Sequence, residues 1–465
     1  MDDLIHRSAV DLAHSIAEGE LSSVEVVTAF LDRIDGVNGD VNAIVSRRSR
    51  ADVLADAAAA DGMEPVGPLH GLPIAVKDLE DVAGLPTRAG SLTTSDRPVE
   101  HDGHVAAKLR AAGAIIVGKT NTPEFGTGSH TFNEVFGVTR NPWDLGRTAG
   151  GSSGGAAAAL AAHMLPIADG SDLGGSLRNP AHMCNVVGLR PSVGRVAAPD
   201  AQTTHLRLGV SGPMGRTVAD TALLMTALAG PDPRDPRSLP EPGAAFAPPL
   251  PTTTDASVAW GDTLGGLFEC DPELLEICRT AAQTVTAAGG TFAEDHPDME
   301  HAELVFRVLR GMGYAGAGWQ LPEEQHELIK ATVRENIAYG QALTLPDVLA
   351  AEAHKAELHR RMTAFFDRYD ILALPVAAVA AFPVETEYPT HVNGVEMRDY
   401  LGWMMAVCMI TPTDCPAISI PAGFTRDGRP VGLQLVARRG HERQLLEIAS
   451  AMEAANPQHH LRAPL

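Results

Sequence analysis

The sequence predicts an α/β protein on three observations: helical patterns alternate with short β-branched runs, glycine and proline separate them, and strand texture returns near the C-terminus. Ser22 followed by Glu25 reads as a capping box, after which Val27, Phe30, Leu31 and Ile34 recur at helical spacing. Residues 71–78 (GLPIAVKD) form a β-branched run between turn signals and read as a strand. Residues 105–112 read as a helix, Gly113 as its stop, and 114–118 (AIIVG) as a buried strand. Between 150 and 190, GGSSGG, an Ala-rich helix, SDLGGS and VVGLRP follow one another in an order that looks architectural. Eight prolines among the 21 residues 231–251 forbid regular structure and favour a surface crossover. Beyond it, 258–260 resembles a strand, and helical patterns cover 272–288 and, less clearly, 302–358. The segments 371–378, 416–423 and 431–437 return to strand texture, so the sheet is expected to be completed from both ends of the chain.

The 465 residues suffice for a large α/β domain or about three average ones. With 45% hydrophobic and 20% charged residues, intrinsic disorder is excluded as the main state. Thirty-six basic against 58 acidic residues give a net charge of −22, the wrong sign for neutralising nucleic-acid phosphates or binding anionic membranes. No apolar stretch reaches the roughly 20 residues of a spanning helix, and the acidic N-terminus does not read as a secretory signal. A cytoplasmic protein is expected. Cys184, Cys270, Cys278, Cys408 and Cys415 include no CxxC pair and read as reduced, buried thiols.

Three features need joint reading: Lys77 at the end of an apolar strand, Ser152 in GGSSGG, and Ser176 in SDLGGSLR. Each is weak alone, since a lysine at a strand end is ordinary and Gly-Ser loops often only turn corners. A phosphate-binding P-loop is excluded because no Gly-Lys-Ser/Thr follows the glycines. His101 and His104 lack a third ligand, so no metal site and no cofactor are expected.

Taken in order, these segments resemble the amidase signature family of serine hydrolases. The resemblance runs from GLPIAVKD through GAIIVGKTNTPEF, TRNPWD and the block from AGGSSGG to VVGLRPS, on to SGPMGRTVAD, and resumes in PAISIPAGFTRDGRPVGLQLV. The 24-residue separation of Ser152 and Ser176 is its most specific feature. It implies a central mixed β-sheet surrounded by α-helices in a single domain over 1–465. Within it, 1–230 would hold the catalytic block, 231–251 the crossover, 252–370 a more variable helical substrate-side region, and 371–465 the strands and helices returning to the core.

The resemblance also implies a Ser-Ser-Lys triad: neutral Lys77 relays through Ser152 to the nucleophile Ser176, and the Gly151–Ser152 peptide is cis. A lysine acts as base only when neutral, so Lys77 should have its pKa lowered by burial. The oxyanion hole falls to the N–H groups of Leu173, Gly174, Gly175 and Ser176, where paired glycines let N–H groups turn toward one point. Ser153 and Ser171 are expected to support Lys77, and Arg178 to tether Asp172 or a loop carbonyl. Phe125, Gly126, Thr127 and Gly128 are expected to line the pocket, where small residues leave room. Phe132, Phe136, Tyr314, Trp319 and Trp403 are candidates for an apolar cleft, and the glycine-broken stretch 311–318 for a mobile lid wall.

The implied activity is stand-alone hydrolysis of small-molecule amides, bulky or aryl ones first, with carbamates and esters sharing the tetrahedral intermediate. No nucleic-acid or membrane partner is expected, and the chain would be a monomer or homodimer. One alternative is the glutaminase subunit of a tRNA-dependent amidotransferase, from whose expected sequence Thr411-Pro-Thr-Asp-Cys-Pro416 departs. Another is a binding protein on a dead scaffold, against which the joint presence of Lys77, Ser152 and Ser176 argues.

Overall fold

The computed structural model describes residues 4–201, 207–316 and 323–465. The capping box forms as the sequence predicts. Ser22 accepts the Glu25 N–H, Glu25 reaches back to the Ser22 N–H, and helix α1 (Ser23–Val41) buries Val27, Phe30, Leu31 and Ile34. Strands β1 (Ile44–Val45), β2 (Pro73–Lys77) and β3 (Ile115–Thr120) follow, with helix α2 (His104–Ala111) before β3 and a positive-φ Gly113 between them. These three strands form a small sheet of order β1-β3-β2, in which β2 and β3 run parallel.

A second sheet has eight strands: β4 (Ile167–Asp172), β5 (Val187–Arg190), β6 (Val210–Gly215), β7 (Ser257–Trp260), β8 (Thr291–Glu294), β9 (Ile371–Pro375), β10 (Ala417–Phe424) and β11 (Pro430–Ala437). Their order is β8-β7-β9-β11-β10-β5-β6-β4, parallel among β8, β7 and β9 and antiparallel beyond. The C-terminal strands thus enter the middle of the large sheet. The first three strands do not join it, which corrects the expectation of one sheet completed from both ends. Where β2 meets β4, the Lys77 N–H donates to the Asp169 carboxylate at 3.0 Å instead of to a main-chain carbonyl, so a side chain replaces a rung of the ladder.

Helices α3 (Gly154–Ala161), α4 (Arg178–Cys184), α5 (Val218–Leu228), α6 (Pro272–Gln283), α7 (Ala302–Gly316), α8 (Ala331–Ala342), α9 (Leu345–Phe366), α10 (Met405–Ile410) and α11 (Glu442–Ala455) surround the sheets. The Ala-rich α3 is buried on every side, which its small side chains permit. The helical texture of 302–358 resolves into α7, α8 and α9. Here a second expectation fails: Gly311 and Gly313 do not break α7, which continues to Gly316. A Cβ on Gly311 would lie 2.7 Å from the Tyr339 ring, and one on Gly340 would collide with the Gly311 carbonyl. The glycines let α7 and α8 cross closely, and that packing outweighs the roughly 1 kcal/mol helix penalty of each. Trp319 and the end of the supposed lid, 317–318, lie outside the described residues.

The proline-rich segment holds only a single 3-10 turn, Gly243–Phe246, whose Phe246 ring lies under the Arg195 guanidinium at 5.0 Å. All five cysteines are free and buried. Among the described residues no helix is long and apolar enough to cross a membrane, and no three His, Cys, Asp or Glu side chains are arranged around a metal position.

Candidate active site

Lys77 is the last residue of β2 and is fully buried. Its Nζ lies 2.7 Å from Ser152 Oγ, 2.9 Å from Ser153 Oγ and 3.0 Å from Ser171 Oγ. Three hydroxyls are a sufficient set of acceptors for an ammonium, and any of them can turn to donate to a neutral amine. Burial pulls the lysine pKa down to about 7, while Asp169, Asp172 and Glu80 oppose the shift. The amine is therefore poised between its two protonation states near neutrality.

Sequence reasoning missed Asp169 and Glu80. Both carboxyls are pushed up by burial, Asp169 to about 6 and Glu80 to about 7. A signal for Asp169 existed: it stands two residues before Ser171 on β4, and strand alternation puts both side chains on one face, toward Lys77.

The Gly151–Ser152 peptide is cis, and Ser129 Oγ donates to the Gly151 carbonyl at 2.6 Å. The Ser153 N–H reaches the Ser176 carbonyl at 3.2 Å, which ties the two serine loops together. Ser152 and Ser176 line one cavity, but no hydrogen bond joins their hydroxyls. Such contacts commonly tighten only when substrate binds.

The loop before Ser176 is anchored by Asp172. This carboxylate takes a bidentate fork from Arg178 (Nε to Oδ2 3.0 Å, Nη2 to Oδ1 2.9 Å), and Arg190 Nη1 stands 3.4 Å from Oδ1. Burial alone would raise the Asp172 pKa, but Arg178, Arg190 and the Gly175 N–H together hold it well below the usual carboxylate range. The Gly175 N–H donates to Asp172 Oδ1 at 2.8 Å, so it is not available to an oxyanion. This narrows the expected set of four donors to Leu173, Gly174 and Ser176, whose N–H groups donate to no other described residue. Asp172→Asn strips the counter-charge from two buried arginines, so a loss of about 3–5 kcal/mol in unfolding free energy is expected, read by denaturant titration.

The cavity has a volume of about 250 Å³, and Leu79, Leu173, Val196, Val210 and Met404 contribute apolar walls. Phe125, Gly126 and Gly128 line it as expected. Thr127 does not, because it is fully buried and its hydroxyl bonds the Tyr314 hydroxyl at 2.6 Å. Gly126 (φ +69°) and Gly128 (φ +102°) answer a backbone requirement as well as leaving room. Of the aromatic candidates, Tyr314 lines the cavity and Trp403 is a core residue packed edge-on against Phe382. Phe132 lies under Lys330 in a separate depression, and Phe136 is absent from the cavity lining.

The profile of the Amidase family matches residues 25–446. An acylamidase from Rhodococcus erythropolis is 37% identical over 97% of this chain and 95% of its own length. The amidase-like component of a glutamyl-tRNA(Gln) amidotransferase from Salinispora arenicola is 33% identical over 98% of both chains. Among solved structures, a bacterial aryl acylamidase of the amidase signature enzymes superposes with a TM-score of 0.89 at 27% identity, over 99% of both chains. Matches of this length span the lysine strand, both serine loops and the returning C-terminal strands, and the chain belongs to the amidase signature family of amide hydrolases.

Proposed function

We propose that this amide hydrolase acts alone as an acylamidase, through an acyl-enzyme on Ser176, on amides whose acyl or amine part is bulky and apolar. The contact of Lys77 Nζ with Ser152 Oγ at 2.7 Å, in a cavity that Ser176 also lines, carries the reading. Neutral Lys77 takes the Ser152 proton as Ser152 takes that of Ser176, and Ser176 Oγ bonds to the carbonyl carbon. The carbonyl oxygen gains the displaced electron pair and is met by the N–H groups of Leu173, Gly174 and Ser176. Collapse expels the nitrogen, which receives its proton through Ser152, and water then repeats the cycle to free the acid. Carbamates and esters pass through the same intermediate and are secondary substrates. Small-molecule substrates, a cytoplasmic setting and a single amidase domain belong to the same reading.

The apolar walls favour bulk. Burying a phenyl-sized group contributes about 2–3 kcal/mol, so an acylanilide is expected to exceed acetamide roughly 30- to 100-fold in kcat/KM. Enlarging Gly126 is a poor probe of this pocket, since a Cβ there stands 3.4 Å from Ser152 Oγ and strains a left-handed backbone. Val210→Phe, on strand β6, narrows the cavity without that strain and should cost anilides at least tenfold relative to acetamide. An equal loss for both substrates would refute the bulky-substrate assignment.

The glutaminase reading has one observation in its favour, the near full-length likeness to the amidotransferase component. Ammonia release from glutamine by the purified chain, faster than anilide hydrolysis, would favour it.

A further inference from the structure

One part of the cavity lining carries a positive charge with no negative partner. Helix α7 supplies Arg310 and, one turn later, Tyr314, and Tyr400 completes the group. Arg310 is buried, and its guanidinium carbon lies 4.5 Å from the Tyr314 ring centroid and 5.6 Å from that of Tyr400. Its N–H groups donate to Asn336 Oδ1, to Tyr314 OH at 3.1 Å and to Tyr400 OH, all neutral acceptors. No carboxylate pairs with it among the described residues. Arg178 and Arg190 share Asp172, Arg195 holds Glu442 and Arg207 holds Asp235, so a carboxylate accompanies each of these buried arginines. The acid nearest in sequence to Tyr400, Asp399, is taken by Arg307 at 2.6 Å.

The donor count points the same way. Tyr400 OH receives N–H groups from both Arg310 and Asn336 Nδ2, the latter at 2.7 Å, so its own hydroxyl hydrogen must go elsewhere. It meets no acceptor among the described residues. Three bonds account for three of the five N–H groups of Arg310. An arginine cannot shed its charge, and a buried charge is costly until paired. What this wall lacks is an anionic acceptor, and the cavity is the side from which one can arrive.

We propose that Arg310 and Tyr400 form a subsite for a carboxylate, so that the preferred substrate bears a carboxylate in addition to its scissile amide. The inference rests on the cavity being the acyl-transfer site. Its binding test, however, needs no turnover.

Ser176→Ala protein is titrated calorimetrically with benzoate and with isosteric benzamide, alone and combined with Arg310→Met or, separately, Tyr400→Phe. Benzoate should bind the Ser176→Ala protein more tightly than benzamide. Arg310→Met should lower that preference by about tenfold or more, the scale of a charge-assisted hydrogen bond, and Tyr400→Phe should lower it by less. Should Arg310→Met not fold, Tyr400→Phe carries the test alone, because it removes only the surplus donor. A benzoate preference that survives both substitutions would put the carboxylate in the N–H cradle at Ser176 and overturn the proposal, as would equal binding of the two probes. In the active enzyme, an anilide carrying a ring carboxylate is compared with its carboxamide analogue, and Arg310→Met should lower the ratio of their kcat/KM values. If no amide is turned over while benzoate binding still depends on Arg310, the acylamidase reading fails and the subsite stands.

Discussion

Ser176→Ala is expected to abolish anilide turnover, with a fall in kcat of about 10⁶-fold, the scale seen when a nucleophile is removed from a coupled catalytic unit. The reason is positional. Two other hydroxyls reach this cavity, those of Ser152 and Ser171, and both are already bonded to Lys77 Nζ. The Ser176 hydroxyl alone of the three is uncommitted, and it follows the loop whose free N–H groups face the place an oxyanion would form. Truncating it removes no hydrogen bond that the fold uses, so the melting temperature should stay close to the parent's. A fluorophosphonate should modify the peptide containing Ser176, and mass spectrometry of the labelled protein checks this. Adduct on Ser152 with Ser176 unmodified would reverse the two assigned roles.

The features legible in the sequence are those that short-range chemistry dictates. The capping box at Ser22 needs only residues three apart, and the strand ending at Lys77 announces itself by β-branched residues between turns. The triad residues stood out because spaced motifs carried them, and the structure brings Lys77, Ser152, Ser153 and Ser171 within 3.0 Å of one nitrogen. The rest depends on contacts that no local pattern encodes. Gly311 reads as a helix breaker until α8 is seen pressing against it. The Gly175 N–H reads as an oxyanion donor until the Asp172 carboxylate is seen three residues back, turned by two arginines to accept it. Arg310 carries no motif at all, and its meaning lies in the carboxylate that is missing around it.

Lys77→Ala is expected to lower kcat by about 10⁴-fold or more while the protein still folds, because without the amine neither serine can lose its proton. Lys77→Arg should fare no better, since a guanidinium stays charged and cannot accept a proton. In the parent enzyme the same amine sets the pH profile. Burial disfavours the ammonium and brings its pKa to about 7, so the base fraction, and with it kcat/KM, should rise about tenfold per pH unit below 7 and level off above. The acids around the lysine act in the opposite direction, since a negative charge favours the ammonium. Asp169→Asn keeps an oxygen to accept the Lys77 N–H but removes that charge, so the rising limb should move to lower pH. Glu80→Gln should move it the same way and by less, because Glu80 is itself only partly ionised near neutrality. A limb that stays in place in both variants would mean that the titrating group is not Lys77. A limb that moves up would mean that the carboxylates do not govern its proton.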